Sequence, residues 1–183
     1  MERLKGKRYL CFILLILTVA LTACTSSPSF ELYEGNSLRI AVVGEPPEVK
    51  EEQIIFTEVS FDEMTSEELK SYDAVFIRED NLSEASESHY ADVYLNSTIP
   101  FFFISAKNHI PFTVKETKYD ENWSWAAGNS YAVGVLKSQE DGTLKSWNYG
   151  LYNDKKTTDN IKDVYSRIFK SIDELKSIMK KGA

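Results

Sequence analysis

Ionisable and nucleophilic side chains are plentiful in this chain, but few fall at spacings that chemistry requires. His89 and His109 are the two histidines, and no H-x-x-x-H pair exists to seed a His-rich metal site. A Ser-His-Asp relay would have to use one of them, and no G-x-S-x-G turn is present to hold its serine. Acid pairs such as Glu67/Glu68, Glu79/Asp80 and Asp120/Glu121 are unremarkable among 28 acidic residues, so their adjacency carries no weight for glycosidase chemistry. Cys11 and Cys24 are the two cysteines. Both lie near the N-terminus, which leaves the remainder without a disulfide or a cysteine-based zinc site. No metal, no cofactor and no catalytic constellation is expected.

Two groups of residues remain as candidates. Glu45, Arg78, Asp80, Ser105 and Lys107 follow segments that read as β-strands. Ligands gather beyond the carboxyl ends of strands in open parallel sheets, so this set outlines a small-ligand or ion site. An acid after the first strand, an acid after the third, and a hydroxyl with a lysine after the fourth resemble receiver domains and flavodoxins. The pattern departs from them where Pro46 and Pro47 stand in place of the backbone donors of a phosphate cradle. No ATP-dependent phosphodonor is expected outside a membrane. The second group is aromatic: Trp123, Trp125 and Trp147, with Tyr119, Tyr131, Tyr149 and Tyr152 around them. Such rings either stack on a glycan or a partner protein, or pack a loop against an edge hairpin.

The elements that must position these groups alternate. Leu38 to Val43, Asp73 to Ile77 and Ile99 to Ile104 are nearly unbroken apolar runs, as expected of central strands buried on both faces. Ile54 to Val59 alternates in part and reads as another strand. Between them come a polar stretch opened by Pro46-Pro47, read as a short helix, and Thr65-Ser66-Glu67-Glu68, a capping box. Leu82 to Leu95 reads as a helix with Leu82, Ala85, His89, Val93 and Tyr94 inward. Residues 105–130 carry no clear period. Tyr131 to Lys137 and Thr143 to Leu151 read as a hairpin across Asp141-Gly142. The last segment is a helix whose apolar face runs through Ile161, Val164, Tyr165, Ile168, Ile172, Leu175 and Met179. The expected fold is α/β: a three-layer sandwich with a mostly parallel, Rossmann- or flavodoxin-like sheet and an antiparallel edge hairpin.

The N-terminus carries a different kind of signal. Arg3, Lys5, Lys7 and Arg8 precede the uncharged, Leu- and Ile-rich stretch Leu10 to Leu21, and small residues follow. This is the plan of a secretory signal peptide. Leu21-Thr22-Ala23-Cys24 resembles the bacterial lipobox. The resemblance implies a diacylglycerol thioether on the Cys24 sulfur, cleavage before Cys24, and acylation (palmitate among the chains) that anchors the protein. The alternative is an uncleaved span over Tyr9 to Phe30, but its second half is Thr, Ser and Pro, which insert poorly. Asp73 to Ile77, Ile99 to Ile104 and Tyr149 to Asp154 are similar to segments of small Bacillus-type lipoproteins of uncharacterised activity.

These readings define a signal peptide over 1–23, a lipidated Cys24 and tether over 24–37, and one α/β domain over 38–181. Thr25 to Ser37 would reach about 40 Å when extended and about 20 Å as a coil, which keeps the domain close to the membrane. The chain has 183 residues, 43% of them hydrophobic, and a formal charge of −7. Without the first 23 residues the count is 17 basic against 27 acidic, a net of −10. So acidic a domain has no footprint for nucleic acid, and a covalent anchor is its expected route to a membrane. The expected protein is an extracytoplasmic, membrane-anchored, monomeric and non-enzymatic binding or accessory module, its partner an envelope protein or glycan. The alternative is a small-ligand or ion sensor using the strand-end loops.

Overall fold

A computed structural model describes residues 30–182 of the chain. The signal segment and Cys24 lie outside the described residues. The domain is mixed α/β, built on one six-stranded sheet. Its strands are β1 (Leu38–Val43), β2 (Ile54–Glu58), β3 (Ala74–Ile77), β4 (Phe101–Ile104), β5 (Ser130–Lys137) and β6 (Leu144–Gly150), in the spatial order β2-β1-β3-β4-β5-β6. The pairings β1–β2, β1–β3 and β3–β4 are parallel, and β4–β5 and β5–β6 are antiparallel. Among the described residues, five α-helices accompany it: α1 (Ser66–Leu69), α2 (Leu82–Ala85), α3 (Tyr90–Asn96), α4 (Ile110–Thr113) and α5 (Thr158–Gly182). Among the described residues, no helix is long and apolar enough to cross a membrane.

Burial follows position in the sheet. Every residue of β3 and β4 is buried, and so is every residue of β1 except Arg39. The edge strands β2 and β6 are largely exposed or half-buried. Alternate side chains feed two apolar clusters, as the pleat requires. Ile40, Val42, Phe76, Phe102 and Ile104 join Val164, Tyr165, Ile168, Phe169 and Ile172 of α5. Ala41, Val43, Val75, Ile77, Phe101 and Phe103 join Leu69, Leu82, Ala85, Tyr94 and Phe112 from α1 to α4. Stacked rings mark both: Phe76 on Phe169 at 6.2 Å, and Phe103 on Phe112 at 3.8 Å. Gly134 of β5 is dictated by the first cluster. A Cβ there would stand 2.4 Å from the Phe102 ring.

The structure departs from the sequence reading in four places. Residues 44–53 form no helix. They cross from β1 to β2 as irregular chain, pinned by Glu51, which is buried and accepts hydrogen bonds from the Ser166 hydroxyl, from Tyr33 N at 3.4 Å and from Lys50 N at 3.0 Å. The helix expected over 82–95 is split at Ser86. The Ser86 hydroxyl donates back to the Ser83 carbonyl at 2.8 Å, a local bond that competes with helical ones, and Tyr94 Oη donates at 2.9 Å to the Ala85 carbonyl. This leaves His89 exposed on the connecting turn. The β5–β6 hairpin forms, but its loop spans 138–143 and Asp141-Gly142 is only part of it. Finally, the buried face of α5 ends near Ile172, and Ile178 and Met179 are 62% and 50% exposed. At the other end of the domain the chain already packs from Tyr33, whose ring meets Phe169 edge-on at 6.0 Å.

Candidate functional site

The carboxyl ends of β1 and β2, with Asn81 and Glu84 from the chain after β3, border a groove of about 700 Å³. Its floor is Val43 and Gly44, and its walls come from residues 58–63, Asn81 and Glu84. Among the described residues, four carboxylates line it, Glu58, Asp62, Glu63 and Glu84, and no cation does. The local sequence explains this shape. Ser60 and Glu63 form a reciprocal capping box over the 3-10 turn Phe61–Glu63, with Ser60 N donating to the Glu63 carboxylate at 2.8 Å. That peptide N–H, helped by the Ser60 hydroxyl, holds the Glu63 carboxyl below its usual range. Gly44 sits at φ +101°, a conformation glycine adopts freely. A Cβ there would meet Asn81 Nδ2 at 2.5 Å.

On the other side of the same edge, facing α5, lies a cluster of rings and cations. Arg78 is half-buried and donates a hydrogen bond to Tyr165 Oη. Burial pushes the Tyr165 and Tyr131 hydroxyls above the ordinary phenol range, and the Arg78 charge partly opposes this at both. Lys156 Nζ lies 5.8 Å from the Tyr131 ring centre and 6.0 Å from that of Trp125, and it pairs with Glu79 at 3.2 Å. Ser105 directly follows β4, at φ 72°, and is 1% exposed. Its N–H donates to the Tyr131 carbonyl at 2.7 Å, and its carbonyl accepts from Trp125 N at 2.8 Å. The Ser105 Oγ and Trp125 Nε1 atoms are buried without hydrogen-bond partners.

The five strand-end residues singled out by sequence are thus divided. Arg78 and Ser105 belong to the ring-and-cation cluster. Glu45 is exposed on a loop and Asp80 on the 3-10 turn Glu79–Asn81, and neither lines the groove. Lys107 is half-buried, and its N–H donates to the Trp123 carbonyl at 3.0 Å, beside the single bridge Ala106–Ser124. That bridge folds residues 123–125 over the end of β4, which accounts for part of the stretch without a period. All three tryptophans are half-buried: Trp125 and Trp147 lie against the α5-side core, Trp147 at 5.9 Å from Phe102, and part of each residue remains open to solvent.

Sequence reasoning missed Glu58, Asp62, Glu63, Asn81 and Glu84. The Ser60-x-x-Glu63 spacing just after a predicted strand was the available signal for that wall of the groove. Among the described residues, no group of three or more His, Cys, Asp or Glu side chains is placed to hold a metal ion. Comparison with protein-family models, with curated proteins and with solved structures found no match to this chain.

Proposed function

We propose that this protein is a lipid-anchored, extracytoplasmic, non-enzymatic binding module that holds a small organic cation in the groove at the carboxyl edge of its sheet. In this reading the chain is exported, lipidated on Cys24 and tethered as a monomer at the outer face of the cell membrane. Its domain is a three-layer, flavodoxin-like sandwich. Support for that fold comes from the order β2-β1-β3-β4, which reverses direction between β1 and β3. A topological switch of this kind splays the flanking loops apart and leaves a crevice. Support for the anchor comes from the Leu21-Thr22-Ala23-Cys24 motif behind a basic and then an apolar segment.

The observation that carries the ligand assignment is the groove itself: about 700 Å³, walled among the described residues by four carboxylates and no cation. That volume falls in the range of small-molecule sites. Its one-signed lining attracts positive charge. The test is calorimetric titration of the full chain in mild detergent with spermidine and with agmatine, at constant ionic strength. Saturable binding that disappears in a Glu58→Gln/Glu84→Gln double variant of unchanged melting temperature is the expected result. Equal binding by that variant, or no saturable heat with either amine, refutes the assignment.

A further inference from the structure

The Arg78 cluster is not part of the acidic groove, and its chemistry is opposite. A guanidinium carries five N–H donors in a planar fork. Among the described residues, Arg78 uses one of them, on Tyr165 Oη, and it has no carboxylate partner. Tyr165 accepts that bond, and its own proton finds no acceptor among the described residues. The buried Ser105 Oγ and Trp125 Nε1 are likewise without partners. Buried polar groups are ordinarily satisfied, because leaving one unpaired forfeits its hydration with nothing in exchange. The unspent donors of the half-buried Arg78, and the unspent proton of the tyrosine bonded to it, are therefore capacity that the described residues do not use.

The surroundings favour the same reading. Arg78 directly follows β3, and Ser105 directly follows β4, at neighbouring carboxyl ends of a parallel pair. Ser105 is held at φ 72°, a strained backbone for a serine, by its bonds to Tyr131 and Trp125. Lys156 adds a second cation at the rim. Since its partner Glu79 is the one carboxylate paired there, the cluster carries a local positive excess within a domain of net charge −10. We infer that Arg78, with Lys156 at the rim and the Tyr165 hydroxyl beside it, forms an oxyanion site for the carboxylate or phosphate group of a small ligand. The planar fork meets two oxygens of such a group at once, which a lysine cannot do. Unlike the groove, this site depends on none of its four carboxylates, so the two stand or fall separately.

The experiment titrates the full chain in mild detergent with inorganic phosphate and, separately, with acetate, ionic strength being matched with chloride. Binding is followed by calorimetry and by tryptophan emission, since Trp125 lies in the cluster. At least one anion should bind saturably, and which one identifies the group recognised. Arg78→Gln should weaken it about tenfold or more, and Arg78→Lys should fail to restore it because the fork is gone. Lys156→Gln, at a rim position where an altered side chain need not disturb folding, should weaken it by a few-fold. The emission change should vanish in Trp125→Phe. Binding of neither anion, or wild-type affinity in a folded Arg78→Gln variant, overturns the proposal. If Arg78→Gln does not fold, an unchanged affinity in both Lys156→Gln and Tyr165→Phe overturns it instead.

Discussion

At the scale of single residues, Glu51 and His109 show how burial sets the consequences of a charge. Glu51 sits in a stretch that reads as polar surface, Glu48 to Gln53, yet it is 5% exposed. No periodicity distinguishes it from Glu48 or Glu52, because its burial depends on Ser166, which is 115 positions away in sequence. Replacing it with alanine leaves the Ser166 hydroxyl and the Tyr33 N–H without their acceptor. Glu51→Ala should therefore lower stability by about 1–3 kcal/mol, read as a lower urea midpoint at unchanged slope. An unchanged midpoint would show that the crossover is not pinned there. His109 is half-buried, with Nδ1 3.3 Å from Thr113 Oγ1, and burial lowers its pKa. The folded state then resists protonation that the unfolded chain accepts. The resulting stability is present above the ordinary imidazole value of about 6.5 and is lost as pH falls through the depressed folded value. Between pH 7.5 and 5.5 the wild type should lose more melting temperature than His109→Gln, and equal losses would remove His109 from the acid response. The site residues were legible to different degrees. Arg78 and Ser105 could be named because each follows an unmistakable apolar strand. Glu58 and Glu84 could not, since 28 acids make any one of them unremarkable and only the order of strands brings these two to one groove.

At the scale of elements, legibility tracked how far local pattern and tertiary demand agree. The central strands were plain because burial on both faces leaves a continuous apolar signature, and β1 falls where its run predicts. The helix after β3 was not, because the break at Ser86 is made by a side-chain bond and by Tyr119 N donating to the Ser86 hydroxyl at 3.0 Å, a contact from a loop with no readable period. The last helix is the clearest agreement and the most consequential. Ile168 and Ile172 are 0% and 1% exposed, at the centre of the cluster against Phe76 and Phe102. A buried isoleucine truncated to alanine costs about 2–5 kcal/mol, a large share of a typical domain stability of about 5–15 kcal/mol. Ile168→Ala should accordingly melt well below the wild type, whereas Ile178→Ala, at the exposed end of the same helix, should melt with it. A wild-type melting temperature for Ile168→Ala would mean that the helix does not hold the sheet.

At the scale of the whole molecule, the charge distribution decides what can keep such a protein at a membrane. The residues after the first 23 carry a net charge of −10, so anionic headgroups repel the domain and electrostatics cannot hold it there. No described helix can span the bilayer, and the apolar residues at the end of α5, Ile178 and Met179, are too few to insert stably. On the proposed reading the whole burden falls on the Cys24 thioether. Each buried methylene contributes about 0.8 kcal/mol, so two or more acyl chains hold almost irreversibly while one holds only marginally. Two consequences follow from the same arithmetic. Washing membranes with 1 M salt, which screens charge to about 3 Å, should release none of the wild-type protein. Cys24→Ala, which removes the sulfur that the lipid needs, should incorporate no labelled palmitate and should keep its uncleaved N-terminal segment, running larger on a gel than the wild type. Palmitate entering the Cys24→Ala protein, or a wild type that leaves the membrane in salt, would place the anchor elsewhere in the chain.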